Sequence, residues 1–279
     1  MRGWWREAAG LLLPAVCGGC GRPRTALCEE CERALYGAGP RRVRPCPEPP
    51  GLPVVHAAAP YEDAVRAVLL GHKERGALGL AGALGGALAG AVLAGAPRIA
   101  VSRIGASAAG AIAPRVSAPR TPVSGALSTR TPSVGAVAGG AGPLLLVPVP
   151  SARRAVRARG HDPARRIALA ASGELRRAGV AARVLAVLRQ RRDVSDQSGL
   201  RAPERLANLA GALEVVAGGP GLLEGGRVVL VDDLMTTGAS LVEAARALRA
   251  AVPSDFRGFG HLSAAVVAAP PLSFGINRN

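Results

Sequence analysis

The sequence predicts an α/β protein whose parallel sheet is flanked by helices, with a small N-terminal zinc module and a disordered insertion. Strand-like apolar runs alternate with helix-like segments after residue 144, and the strongest runs are continuous in Val and Leu. This order gives parallel strands that are buried on both faces. Because 49% of the residues are hydrophobic but only 3% are aromatic, small aliphatic side chains must build the core.

Two pairs of cysteines mark the N-terminal part of the chain. They are Cys17 with Cys20, and Cys28 with Cys31. Each CxxC pair presents two thiolates on one side, so two neighbouring pairs predict a closed, tetrahedral zinc site with a structural role. Thioredoxin-like redox chemistry and fortuitous cysteines are the alternatives, but redox motifs occur singly beside a βαβ unit, and two pairs this close are hard to explain by chance. Residues 1–50 are assigned to this module and a Pro- and Arg-rich linker, in which Cys46 is expected to be a free thiol.

The main domain is predicted over residues 54–271, and its first long helix covers the uncharged stretch 77–96. One stripe at helical spacing consists of Leu80, Leu84, Leu88 and Val92. The length also suits a membrane span, but Ala and Gly dominate the stretch and basic residues flank both ends. We therefore expect a buried helix and no membrane span.

A long interruption of the main domain is predicted at residues 97–143. Small residues dominate it, and it contains no Asp, Glu or Lys. Neither a period of two nor one of 3.6 is sustained, which is typical of a disordered insertion.

The remaining elements follow in alternation. Strands are predicted at residues 144–149, 180–188, 227–231 and 262–268. Helices are predicted at 165–177, with Ile167, Ala168 and Ala171 inward, and at 241–252.

The sharpest functional signal follows the strand at 227–231. This strand ends in Asp232 and Asp233, at the edge of the sheet where α/β proteins place ligands. The next turn and helix start contain Thr236, Thr237, Gly238, Ala239 and Ser240. Hydroxyls, a glycine and free helix amides predict a phosphate cradle, and carboxylates beside it suit the hydroxyls of a phosphorylated ribose.

Two other interpretations of this segment are possible from the sequence. A receiver domain also has paired aspartates after a strand, but only 46 residues follow Asp233, too few for the remaining sheet. A buried strand with a solvated turn is the plainer alternative. Ser240 and Glu243 match a capping box that would start the following helix.

The segment 228–240 resembles the type I phosphoribosyltransferase signature, VDD-x-x-TTG. The order of zinc module, PVP strand, basic RG segment and VDD-x-x-TTG loop is similar to the ComF family of competence proteins. The resemblance implies that Asp232 and Asp233 contact ribose hydroxyls of phosphoribosyl pyrophosphate, with its magnesium, and that the turn from Thr236 to Ser240 holds the 5-phosphate. Residues Arg191 to Gly211 resemble a family stretch that corresponds to a mobile loop over the site.

Basic residues elsewhere, with a glycine next to one of them, are candidates for binding the pyrophosphate or for a loop at the site. Arginines cluster after the strand at 144–149, and guanidinium groups suit pyrophosphate oxygens, although a solvated basic loop is equally compatible. The candidates are Lys73, Arg153, Arg159, Gly160 and Arg191. By resemblance, Arg159-Gly160-His161-Asp162 matches the family's RG-aromatic-Asn segment, with His and Asp at its last two positions.

Two functions remain open at this stage. The first is pentosyl transfer from phosphoribosyl pyrophosphate to an acceptor that the sequence does not identify, and enzyme activity is uncertain because the fold also serves binding proteins. The second, implied by the ComF resemblance and compatible with the net charge of +16, is a competence factor that handles single-stranded DNA directly or through a helicase-type partner. The cysteine usage and the absence of a typical signal peptide predict a cytoplasmic protein. The oligomeric state is not determined.

Overall fold

The computed structural model describes residues 16–37, 39–96, 142–192, 201–253 and 262–275. The predicted insertion 97–143 therefore lies outside the described residues, apart from its last two. The strands are β1 (Arg41–Val43), β2 (Val54–Pro60), β3 (Leu144–Pro148), β4 (Ala182–Val184), β5 (Leu188–Gln190), β6 (Leu213–Val215), β7 (Arg227–Leu234) and β8 (Ser263–Ala269). The helices are α1 (Glu29–Tyr36), α2 (Asp63–Glu74), α3 (Ala81–Gly95), α4 (Arg153–Arg159), α5 (Pro163–Arg177), α6 (Ala202–Leu209), α7 (Gly219–Leu223) and α8 (Ala239–Ala251).

Six strands form one sheet in the order β1-β2-β8-β7-β3-β4. The edge strand β1 is antiparallel to β2, and the other neighbours are parallel. Strands β5 and β6 form a separate antiparallel pair. The predicted α/β architecture, a largely parallel sheet flanked by helices, is confirmed.

The chain leaves the neighbouring strands β3 and β7 in opposite directions. Strand β3 leads through α4 and α5 to β4, whereas β7 leads through α8 to β8. Helix α5 packs against one face of the sheet and α8 against the other. Such a divergence leaves a crevice at the carboxyl ends of the two strands, which is where open α/β sheets bind ligands.

Strand β7 shows why the strongest apolar run is continuous. Val229 and Val231 pack in the cluster that contains α3 and α5, whereas Val228 and Leu230 pack in the cluster that contains α8. Successive side chains of a strand point to opposite faces. A strand covered on both faces must therefore be apolar at every position.

Helix α3 belongs to the first of these clusters. The predicted stripe is confirmed as buried: Leu80, Leu84, Leu88 and Val92. Gly85 lies so close to α5 that an added Cβ atom would be 2.4 Å from Ala170 Cβ. Among the described residues, the segment Leu78–Gly95 is long and apolar enough to cross a membrane, with a mean hydropathy of 1.8, and 44% of it is buried within the protein.

The cysteine module and the linker both contact the main domain. A Cβ atom added at Gly18 would be 2.6 Å from Leu80 Cδ1, and Ala64 of α2 packs against the cysteines. Strand β1 lies in the segment assigned to a linker, where it extends the sheet beside β2. All described residues belong to one compact unit.

The apolar run at 180–188 does not form the single strand that was predicted. It divides into β4, which pairs with β3, and the start of β5, which pairs with β6. Val184 packs in the α5 cluster, but Val187 and Leu188 pack in the α8 cluster. Because one apolar run serves two cores, its hydrophobic pattern alone does not show where the strand ends.

Candidate functional site

A cleft opens at the carboxyl end of β7, beside the point where the connections from β3 and β7 diverge. About 260 Å³ of space free of protein atoms lies within it, part of which is open solvent. Its lining consists of Asp232, Leu234, Met235, Thr236, Thr237, Gly238, Ala239, Ser240 and Leu241. The structure thus brings Asp232 and the whole predicted phosphate turn to one cavity.

The turn between β7 and α8 depends on Gly238. Its φ of 79° lies in the left-handed region, which a glycine adopts without steric cost. The residue is also crowded, because an added Cβ atom would be 2.9 Å from Leu52 Cδ1. Gly238 is the N-cap of α8, so the first amides of that helix have no intrahelical acceptor and are available to an anion at the cleft.

The predicted capping box of α8 is wrong. No side chain caps the helix at its N-cap, Gly238. Instead, Glu243 is buried, accepts the Leu213 amide hydrogen at 2.9 Å and pairs with Arg246 at 2.7 Å. Burial raises the pKa of Glu243, but these hydrogen bonds outweigh it and lower the pKa overall. Glu243 therefore ties β6 to α8 rather than starting the helix.

The two aspartates lie in different surroundings because β7 continues to Leu234. Asp232 lines the cleft, while Asp233 points to the other face of the strand and is buried. Lys73 Nζ, at the end of α2, donates to Asp233 Oδ2 at 2.8 Å. The Asp233 amide also donates to Asp232 Oδ1 at 2.8 Å, so the two carboxylates remain close neighbours.

These contacts leave Asp232 short of positive charge. Burial raises the pKa of Asp232 well above its usual range, the Asp233 carboxylate raises it further, and Lys73 opposes both. Burial lowers the pKa of Lys73, but the Asp233 and Asp232 carboxylates reverse this and raise it overall. Two carboxylates thus share one ammonium group, and Asp232 is the member that faces the cleft.

None of the candidates for the pyrophosphate lines this cleft, and Lys73 contacts Asp233, which is not in the lining either. Arg159 makes a bidentate pair with Glu74, at 2.8 and 2.7 Å, and Gly160 ends α4 with a φ of 77°. The Arg153 amide donates to Gln190 Oε1 at 3.2 Å, and the Arg191 amide donates to Ala212 O at 2.9 Å. The predicted loop residues 193–200 lie outside the described residues.

The His161-Asp162 pair has local partners in the structure. Asp162 is the N-cap of α5 and accepts the Arg165 amide hydrogen at 3.2 Å. The His161 ring packs edge-on against buried His72, with ring centroids 5.6 Å apart. A helix cap therefore accounts for the acidic residue in this segment.

One contact of the turn was missing from the set of candidate site residues. Arg205 Nη1 on α6 donates to Thr236 Oγ1 at 3.1 Å. The sequence places Arg205 in the stretch that resembles the family loop, but nothing in its spacing shows which hydroxyl it reaches. Only the packing of α6 beside α8 brings the two together.

The four cysteines of the N-terminal module meet at one point. The sulfur atoms of Cys17, Cys20, Cys28 and Cys31 all lie within 4.8 Å of one another. Gly19 passes so close that an added Cβ atom would be 2.5 Å from Cys31 Sγ. Four thiolates around a zinc ion lie about 3.8 Å apart, given Zn–S bonds of about 2.3 Å. The cluster could therefore bind a metal such as zinc. Cys46 is a free, exposed cysteine.

The ionisation of these thiols also favours a cation. Burial raises the pKa of Cys17, but backbone amides, among them those of Cys20 and Cys28, outweigh it and lower the pKa to about 6. Burial and the neighbouring thiols raise the pKa of Cys31. Thiolates this close repel one another, so a bound cation is needed before all four ionise.

Comparisons with protein-family models and with curated proteins find no match to this chain.

We predict that Asp232→Asn stabilises the protein at neutral pH by about 1 kcal/mol, the usual scale of a single substitution. Because the folded pKa of this carboxyl is raised, the unfolded chain ionises at a lower pH than the native protein does. The resulting cost to stability is absent below the unfolded pKa of about 3.9, grows as the pH rises above it and is complete above the folded pKa. Urea unfolding of both proteins between pH 4 and 8 measures the difference. An advantage that grows as the pH falls, or a destabilised variant at pH 7, contradicts the raised pKa of Asp232.

Proposed function

We propose that the chain binds a phosphorylated ribose, with phosphoribosyl pyrophosphate as the favoured ligand, in the cleft at the end of β7. The observation that carries this proposal is that Asp232 and the turn from Thr236 to Ser240 line one cavity. An anion-binding turn and a carboxylate acceptor together suit a ligand with both a phosphate and neighbouring hydroxyls. The resemblance of VDD-x-x-TTG to the type I phosphoribosyltransferase signature and to ComF proteins supports the same ligand.

Different residues of the cleft would contact the phosphate and the ribose of the ligand. The helix amides after Gly238 and the hydroxyls of Thr237 and Ser240 would hold the 5-phosphate. Asp232 would accept hydrogen bonds from the ribose hydroxyls, which would replace water around a carboxylate that lacks a full counter-charge. Asp233 holds Lys73 beside the pair, and the Lys73 ammonium group limits the repulsion between the two carboxylates.

The carboxylates of Asp232 and Asp233 also suit a magnesium ion. Carboxylate oxygens are the hard ligands that Mg²⁺ prefers, and the ion usually reaches proteins together with substrate phosphates. Where the bound ligand reacts, the proposed chemistry is pentosyl transfer. A nucleophile would bond to the anomeric carbon of the ribose as the bond from that carbon to pyrophosphate breaks. A Mg²⁺ ion held by Asp232 and Asp233 would supply positive charge to the departing pyrophosphate. The chain's own part is to hold the ribose phosphate in place, which requires no covalent nucleophile.

The test is calorimetric titration of phosphoribosyl pyrophosphate with Mg²⁺. We expect micromolar to millimolar binding by the wild type and a loss of about 100-fold or more in Asp232→Asn/Asp233→Asn, because the acceptors of the ribose hydroxyls are weakened and the charge for Mg²⁺ is removed. Glu224→Gln, at the exposed turn before β7, is the control for charge and should bind normally.

The outcomes separate three cases. No binding by the wild type refutes the proposed ligand. Binding with release of pyrophosphate in the presence of a base or an amine identifies a transferase. Binding without turnover identifies a sensor or a binding protein of the same ligand.

A second candidate function is the handling of single-stranded DNA, directly or through a helicase-type partner. The observation that favours it is a group of exposed arginines on α4 and at the start of α5, with which none of the described carboxylates forms an ion pair. They are Arg153, Arg154, Arg157, Arg165 and Arg166. Aromatic side chains that could stack bases do not interleave with them, so phosphate contacts would dominate.

For this candidate we expect weak, salt-dependent binding of a labelled oligothymidine, measured by fluorescence anisotropy. Arg154→Gln/Arg157→Gln should lower the slope of log affinity against log salt by about 1 to 1.5, since each neutralised phosphate contributes about 0.7 for single strands. The matched control is Arg183→Gln/Arg249→Gln, which removes two exposed charges elsewhere. Tight binding that ignores salt, or equal slopes in both variants, refutes the DNA hypothesis for this surface.

We also propose that the four clustered cysteines hold a structural zinc ion. All four ligands come from the protein, and three of them are buried, so no position is left open for catalysis. The ion would fix the module against α2 and Leu80.

Elemental analysis and a chelator test the zinc proposal. We expect about one zinc per chain, lost in Cys28→Ser and retained in Cys46→Ser, which changes the exposed cysteine outside the cluster. Removal of the metal should lower the unfolding midpoint of the wild type, since metal binding energy stabilises the folded state. An equal metal content in the two variants refutes the assignment.

A further inference from the structure

The packing of α6 holds Arg205 beside the turn from Thr236 to Ser240. Leu206 and Leu209 of this helix pack with Ala212 against Ala239, the first residue of α8. The helix therefore docks on the start of α8, and its Arg205 side chain extends to the turn that precedes α8.

The hydrogen bond between Arg205 and Thr236 has a fixed direction. A guanidinium group only donates, so Thr236 Oγ1 accepts from Arg205 Nη1 at 3.1 Å. The hydroxyl hydrogen of Thr236 is then directed away from Arg205 and remains free to donate. Thr236 lines the cleft, so its free donor is available to a ligand there.

The guanidinium group retains unused donor capacity. Arg205 Nε is buried and has no hydrogen-bond acceptor in the part of the chain that the structure describes. A buried donor without an acceptor costs free energy. The positive charge of Arg205 beside the turn favours an anion there over a neutral group, while its direct side-chain contact is with Thr236.

We infer that Arg205 is a positioning residue for the phosphate: it orients the Thr236 hydroxyl so that this group donates to a phosphate oxygen. The inference rests on the proposed function, and it adds a residue from α6 to a site otherwise built by β7 and α8. Its effect is selectivity for the phosphorylated form of the sugar, because the contact serves the phosphate and no other part of the ligand.

A double-mutant cycle tests this role with ribose 5-phosphate and inorganic phosphate as calorimetric probes. The proteins are wild type, Arg205→Gln, Thr236→Val and the double variant. Each single change should weaken ribose 5-phosphate binding about 10- to 100-fold, the range for a hydrogen bond to a charged group. If Arg205 acts through Thr236, the double variant should bind within about threefold of the weaker single variant.

Two further variants distinguish loss of the Arg205 contact from a general loss of structure or of positive charge. Arg205→Lys keeps a charged donor and should bind within about fivefold of wild type, with the same unfolding midpoint as Arg205→Gln. Arg183→Gln removes the same charge from the exposed edge strand β4 and should bind as wild type does. Losses in the cycle that multiply independently, or an Arg205→Gln affinity within about twofold of wild type, overturn the role of Arg205.

The probes also separate this inference from the proposed function. If wild type binds ribose 5-phosphate and Arg205→Gln binds it equally, the role of Arg205 is refuted and the site stands. If wild type binds inorganic phosphate with the expected cycle but no ribose phosphate, the ribose ligand is refuted and the role of Arg205 stands. Absence of binding to either probe refutes both.

Discussion

The site depends on one topological constraint, the parallel pairing of β3 and β7 with connections that leave to opposite faces. Backbone hydrogen bonds hold these two strands together, and the two hydrophobic clusters cover the sheet from both sides. Neither α5 nor α8 can then cover the carboxyl ends of both strands. The crevice is a consequence of the packing, and the Thr236–Ser240 turn lies at its edge because it directly follows β7.

Electrostatic compensation is the second constraint on this edge. Strand geometry sends Asp232 and Asp233 to opposite faces, yet backbone contact keeps their carboxylates close. Lys73 compensates mainly Asp233, so the residual negative charge belongs to the carboxylate at the cleft. A carboxyl whose pKa is shifted by burial and by a neighbouring charge is typical of functional sites.

Helix α2 joins the cysteine module to this edge. Ala64 at its start packs against the cysteine cluster, while Lys73 and Glu74 at its end pair with Asp233 of β7 and Arg159 of α4. The module therefore has a packing role within the same compact unit as the sheet. The Pro- and Arg-rich segment assigned to a linker includes the edge strand β1 because that strand pairs with β2 and its Val43 packs in the cluster that contains α8.

The sequence by itself determined features that depend on neighbouring residues: the alternation of strands and helices in the main sheet after residue 144, the continuous run of β7, the stripe of α3 and the four cysteines. These features follow from local periodicity and spacing, which are visible in the sequence without knowledge of the fold. The sequence did not show where the run at 180–188 divides. The tertiary structure alone decided which partner each charged group has. Glu243 pairs with Arg246 and Leu213 instead of capping α8, Lys73 pairs with Asp233, and Arg205 reaches Thr236. Long charged side chains reach whichever partner packing brings within about 3 Å, and that distance is set by elements far apart in sequence.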